Sequence, residues 1–121
     1  MAKDTLNYTK KTLNLQGKPM DLSTPVVMGI INVTPDSFFD SSRINSPKSI
    51  LNQVENMIKD GALILDIGGY SSRPGADDVP IEEELNRVAS SISVIRKEFT
   101  EIAISVDSFR STVTEAALNE G

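Results

Sequence analysis

Ile102-Ala103-Ile104-Ser105-Val106-Asp107 alternates strictly with a period of two. Neighbours on an extended strand point to opposite faces, so Ile102, Ile104 and Val106 share one side and Ala103, Ser105 and Asp107 the other. The stretch Leu63-Ile64-Leu65-Asp66-Ile67 repeats the pattern, with Leu63, Leu65 and Ile67 opposing Ile64 and Asp66. The wholly apolar row is the one expected to face helices. The other row is smaller and becomes polar toward the C-terminal end of the strand. An open sheet buried on both faces reads as continuously apolar. An α/β barrel whose interior turns polar at its mouth fits this alternation better, and in such barrels the reactive groups sit at that mouth.

Working outward, a unit of short apolar strand, polar loop and amphipathic helix repeats three times after Pro25. The first strand is Val26 to Ile31. Its helix opens at Ser46-Pro47, an N-cap followed by proline at the first helical position. Ile50, Val54, Met57 and Ile58 share a face, and Gly61 stops it. The second helix opens near Pro80, with Glu82, Glu83 and Glu84 suited to the positive end of the helix dipole. Its apolar stripe is Ile81, Leu85, Val88, Ile92, Ile95 and Phe99. The third helix is expected from Ser108 to Gly121, with Phe109, Val113, Ala116 and Ala117 inward. Ahead of these units, residues 1–10 read as a flexible tail. Thr12 to Leu22 read as a β-hairpin turning at Gly17. Strands alternating with helices at this spacing give a parallel sheet with right-handed crossovers. Two architectures follow, part of a β/α barrel or part of an open doubly wound sheet, and the alternation favours the barrel. A full eight-unit barrel needs about 250 residues, and this chain has 121.

Composition narrows the chemistry. There is no His and no Cys, so a Ser-His-Asp triad, a cysteine nucleophile and an imidazole or thiolate zinc site are excluded. A metal would be a hard cation held by oxygens, such as Mg²⁺. With 12 Lys and Arg against 17 Asp and Glu, the net charge of −5 speaks against nucleic-acid binding. The run Val26 to Ile31 is far short of the roughly 18 apolar residues of a membrane span. The first residues lead into no apolar targeting segment, which places the expected compartment in the cytoplasm.

Polar groups recur at the C-terminal strand ends: Asn32, then Asp66 ahead of Gly68-Gly69, then Asp107. Asp107 could also serve as a helix N-cap, and Asn32 as a turn residue. The loops that follow the first two strands, residues 32–45 and 68–79, are long for β/α connections and carry hydroxyls, Gly, Pro and charge, as binding loops do. Ser71-Ser72-Arg73 offers hydroxyls and a forked cation suited to phosphate oxygens.

Three of these stretches carry a resemblance to a known family. Met28-Gly29-Ile30-Ile31-Asn32-Val33-Thr34-Pro35-Asp36-Ser37-Phe38 resembles the first signature of the dihydropteroate synthases. Asp66-Ile67-Gly68-Gly69-Tyr70-Ser71-Ser72-Arg73-Pro74-Gly75 resembles the second, and Ile104-Ser105-Val106-Asp107-Ser108 the third-strand motif. The chain departs from the pattern at Tyr70, where Glu is common, and at Ser72, where Thr is common. The resemblance runs from Leu13 to Gly121 and covers the N-terminal portion of the family. It implies a (β/α)8 TIM barrel, of which residues 11–121 would be the N-terminal hairpin and about three βα units.

The resemblance also implies an activity. The family is a transferase of folate biosynthesis and the target of sulfonamides. It joins p-aminobenzoate to 6-hydroxymethyl-7,8-dihydropterin diphosphate, releasing pyrophosphate and 7,8-dihydropteroate. Carried over residue by residue, Asn32 would touch Mg²⁺ or the phosphate oxygens. Asp107 would hydrogen-bond the pterin ring. Ser72 and Arg73 would bind the phosphate side, with Arg73 also catalytic. Phe38 would cover p-aminobenzoate, and Asp40 would tie its loop to Arg73 or to Mg²⁺. The resemblance leaves Asp66 lining the mouth without a chemical role. It further implies a homodimer of the full-length enzyme in the cytoplasm. The 121 residues alone would then be catalytically silent and prone to associate through the open edges at Val26–Ile31 and Ile102–Val106. A pterin-binding methyltransferase barrel, or a non-catalytic barrel fragment that packs against a partner chain, are the competing readings.

Overall fold

The structure is a computed structural model that describes residues 11–33, 46–71, 74–75 and 78–121. The expected hairpin forms from β1 (Thr12–Leu15) and β2 (Lys18–Asp21), paired antiparallel with Leu15 opposite Lys18. That register leaves Gln16 and Gly17 as a two-residue turn, both with positive φ, 52° and 79°. Positive φ at both positions is the type I′ geometry that matches strand twist. The Asn14 side chain accepts from the Gly17 amide at 2.9 Å and closes the turn.

β3 (Val27–Asn32), β4 (Ala62–Gly68) and β5 (Ala103–Asp107) form a three-stranded sheet in that order, parallel throughout. α1 (Pro47–Lys59), α2 (Ile81–Glu98) and α3 (Ser111–Asn119) complete three βα units. Ser46 caps α1 through its side chain, which accepts from the Ser49 amide at 3.2 Å, and Pro47 opens the helix. Gly61 has φ 107°, a conformation that releases the chain from α1 into β4.

The core lies between one face of the sheet and the helices. Ile31, Leu65 and Ile67 from the strands meet Ile50 and Val54 of α1, Val88, Ile92 and Ile95 of α2, and Val113 and Ala117 of α3. Ile104 and Val106 pack partly buried against the same cluster. The apolar row therefore faces the helices, as the alternation predicts. Leu63 is the exception at 49% exposure, because it lies at the strand entrance, beyond the helical cover. On the opposite face Met28 and Ile30 are exposed, and among the described residues no layer covers them.

Three expectations are corrected. α3 begins at Ser111 rather than Ser108, and Phe109 is not inward but 72% exposed. The chain spends residues 108–110 turning out of β5, held by side-chain hydrogen bonds described below. Ile81 stands half exposed at the first position of α2, before the helix reaches the sheet. Glu82, Glu83 and Glu84 do occupy the first turn of α2, as expected, and Glu84 is in addition wholly buried.

Arg96 ties the lower ends of the elements together. Its guanidinium donates to the carbonyls of Thr100 (3.2 Å), Ile102 (2.7 Å) and Gly121 (2.8 Å), closing the end of α2 onto the entrance of β5 and the end of α3. The hairpin reaches the same end through Gln16, which donates to the Gly121 carbonyl, and through Lys18, paired with Glu101 at 2.6 Å. The Lys18 hydrogen bond and charge hold the Glu101 carboxyl below the usual carboxylate range.

A polar row across the strand ends

The parallel ladder places Asn32 opposite Gly68 and Gly68 opposite Asp107. One residue from each strand thus forms a single row at the C-terminal edge of the sheet. With strands about 4.8 Å apart, Asn32 and Asp107 stand roughly 10 Å from each other. The Val33 amide donates to the Gly68 carbonyl at 2.8 Å, so pairing continues past Asn32 and fixes its backbone. Gly68 presents no side chain between the two polar ends. A Cβ there would stand 3.7 Å from the Asp107 Cβ and 3.8 Å from Asn32 Oδ1. Two exposed polar side chains therefore flank the buried backbone of Gly68.

One layer deeper, Asp66 pairs with Ser105 in register, and Ser105 Oγ donates to Asp66 Oδ1 at 2.8 Å. This gives Asp66 a cross-strand structural partner beneath the row. Asp107 is not the N-cap of α3; that position is Arg110, which makes no side-chain cap hydrogen bond. The carboxylate of Asp107 is left for the mouth.

Behind the row lies a network that sequence reasoning missed. The buried Glu84 carboxylate accepts from Ser108 Oγ at 2.8 Å. Arg110 Nη1 stands 3.7 Å from Glu84 Oε1 and donates to the Val79 carbonyl at 2.6 Å, while Nη2 stands 3.7 Å from Asp78 Oδ1. The guanidinium also lies over the rings of Tyr70, at 5.2 Å, and Phe109, at 5.0 Å, which meet edge to face. Arg110 thus explains the outward Phe109, whose ring covers a cation rather than the core. The Tyr70 hydroxyl donates to Asp78 at 2.8 Å. That hydrogen bond, with desolvation and the Asp78 charge, raises the Tyr70 pKa above the ordinary tyrosine value. The signal in the sequence was the missing apolar residue: Glu84 sits one turn before Val88 and one residue before Leu85, on the buried side of the stripe.

Phe38, Asp40, Ser72 and Arg73 lie outside the described residues. Among the described residues no group of three acidic side chains is placed to hold a metal. Asn32 offers one neutral oxygen. That suits Mg²⁺ only where substrate phosphates and water supply most of the ligands, the usual arrangement for this ion. A separate apolar cavity of about 670 Å³ lies under the hairpin, lined by Leu15, Met20, Phe99, Ile102 and Leu118 among others, and none of Asn32, Gly68 and Asp107 borders it. It sits toward the opposite end of the strands from the polar row.

Three βα units with helices on one sheet face and polar strand ends are the architecture of part of an α/β barrel, and the chain belongs to the pterin binding enzyme family, whose model matches residues 28–121. It is similar to the dihydropteroate synthase of Haemophilus influenzae, 49% identical over 87 residues that make up 72% of this chain and 32% of that protein. Among solved structures it is similar to the Yersinia pestis dihydropteroate synthase in a sulfonamide drug complex, with a TM-score of 0.82 at 40% identity over 91% of this chain and 40% of the other. It is also similar to the Xanthomonas albilineans dihydropteroate synthase with 4-aminobenzoic acid, with a TM-score of 0.80 at 41% identity over 93% of this chain and 41% of the other. The three units overlay on part of the TIM barrel of these enzymes. The chain spans about a third of the length of the curated relatives it matches.

Proposed function

We propose that the chain supplies the pterin-side portion of a dihydropteroate synthase active site. The observation that carries this reading is the row Asn32, Gly68 and Asp107 at one edge of the sheet. The likeness to synthases described with a sulfonamide and with 4-aminobenzoic acid supports it. In this reading the amine nitrogen of p-aminobenzoate attacks the methylene carbon of the dihydropterin diphosphate. The carbon–oxygen bond breaks, pyrophosphate leaves with the electron pair, and the amine loses a proton. An aromatic amine is already nucleophilic, so the protein's tasks are alignment and charge stabilisation at the leaving group.

Asp107 accepts from the pterin ring N–H and amino donors, a pairing only an acceptor-rich carboxylate makes at both points. Gly68 puts no side chain between Asn32 and Asp107, where the flat ring would lie. Ser72 and Arg73 hold phosphate oxygens, Arg73 as a forked donor that strengthens as negative charge builds on the leaving group. Phe38 covers p-aminobenzoate and Asp40 ties the loop that carries it. Asn32 gives its Oδ1 to Mg²⁺, or donates from its Nδ2 to an oxygen of the diphosphate. Mg²⁺, when bound with the diphosphate, supplies charge neutralisation at the leaving oxygens. The cytoplasmic setting and homodimeric assembly belong to the same reading and rest on the resemblance. Among the described residues no helix is long and apolar enough to cross a membrane.

Titration calorimetry with the dihydropterin diphosphate tests the reading. Loss of a charged hydrogen-bonding partner costs about 1.5–3 kcal/mol, so Asp107→Ala is expected to weaken binding by roughly tenfold to a hundredfold. Equal affinity in the two proteins would remove Asp107 from the pterin site.

A further inference from the structure

Glu84 is the wholly buried carboxylate among the described residues, and the reaction gives it no role. It occupies the first turn of α2, with its Cγ and carbonyl oxygen each 3.3 Å from where a Cβ on Gly69 would stand. The first turn of α2 therefore lies directly against the end of β4. Its carboxylate reaches sideways to β5 and accepts from Ser108 Oγ at 2.8 Å. Ser108 follows Asp107 immediately, and its oxygen in turn accepts from the Arg110 amide at 3.1 Å. Asp107 is held on one side by the β4 ladder and on the other by this short chain of hydrogen bonds.

Packing alone does not account for a carboxylate here. Burying one is costly unless its oxygens are matched, and an apolar side chain of like volume often holds such a position as well or better. What an apolar residue cannot do is accept from Ser108 while facing the Arg110 guanidinium, 3.7 Å from Glu84 Oε1. We propose that Glu84 is a positioning residue: acting through Ser108, it fixes the turn after β5 and with it the direction in which the Asp107 carboxylate faces the ring N–H and amino edge of a pterin. The inference rests on the reading of Asp107 given above.

Two measurements on the whole chain test it. The first is a double-mutant cycle of Ser108→Ala with Asp107→Ala, read by calorimetric affinity for the dihydropterin diphosphate. Ser108→Ala is expected to weaken binding about tenfold when Asp107 is present and less than about twofold when it is absent, while Ser108→Thr restores most of the affinity. Equal weakening in both backgrounds would overturn the inference, since a general structural effect does not depend on Asp107. The second is amide hydrogen exchange without ligand in Glu84→Leu. Exchange at the Arg110 amide should rise about tenfold or more, with Ile92 and Ile95 in α2 unchanged. An unaltered Arg110 amide would show that Glu84 does not hold the turn. Failure of the unaltered chain to bind the pterin would overturn the reading of Asp107, and with it the pterin half of this inference. The exchange result decides the other half independently.

Discussion

Gly69→Ala probes the contact that brings α2 against the strand ends. A Cβ at position 69 would lie 2.9 Å from Val88 Cγ2 and 3.3 Å from the Glu84 backbone oxygen. Carbon atoms pack at about 3.5–4.0 Å, so the first contact is short by more than half an ångström. Val88 is fully buried and the second contact is backbone, so neither can turn aside. Overpacking of this kind costs roughly 1–3 kcal/mol. The lost freedom of the unfolded chain returns about 0.4–1 kcal/mol, leaving a net destabilisation of roughly 1–2 kcal/mol. For a chain of this size that corresponds to a fall of about 4–8 °C in Tm. Gly68→Ala is the matched control. Its nearest contacts are 3.7 Å away, so the same chain-entropy gain should leave stability unchanged or raised by up to about 1 kcal/mol, while the new methyl group stands between Asn32 and Asp107 and weakens pterin binding. Thermal melting by circular dichroism reads both. A Gly69→Ala protein that melts with the unaltered chain, or a Gly68→Ala protein that loses as much, would refute the close approach of α2.

Leu65→Ala should cost about 3–5 kcal/mol in urea unfolding, because Leu65 is fully buried at the centre of the sheet; a cost under about 1 kcal/mol would mean that the core lies elsewhere. Ser46→Ala should cost about 1 kcal/mol through loss of the α1 cap, again read by urea unfolding. Tyr70 should ionise above the ordinary tyrosine range, and Asp78→Ala should move that part of the tyrosine absorbance titration to lower pH. Because the folded pKa is raised, the stability that this pair contributes is present at neutral pH and lost as pH climbs through the raised value. An unchanged titration in Asp78→Ala would break the assignment.

The sheet and its inward and outward rows were legible because alternation is a local signal. Asp66, Ser105 and Asp107 fall on the polar row at a period of two, and the structure keeps them there. α1 was legible for a similar reason, since Ser46, Pro47 and Gly61 are local punctuation. What escaped was decided by contacts across the chain. The turn at 108–110 looks like the start of α3 by composition. It is instead held out of the helix by Glu84, 24 residues earlier, and by the Val79 carbonyl, 31 residues earlier. Phe109 looks like a core residue by its side chain, yet it pairs with Tyr70 over Arg110. Glu84 itself sits in an acidic triplet that reads as a helix N-terminus, and only the approach of β4 and the turn after β5 buries it. At the site, Asn32 and Asp107 were recognisable as strand ends. That Gly68 completes their row needed the register.

The central claim is that the C-terminal strand ends, rather than the apolar cavity under the hairpin, receive the pterin. Amide chemical-shift mapping with the dihydropterin diphosphate tests this directly. The account predicts shifts at Asn32, Val33, Gly68, Gly69 and residues 107–110, with Leu15, Met20, Phe99 and Leu118 unmoved. Shifts confined to those four cavity residues would contradict it.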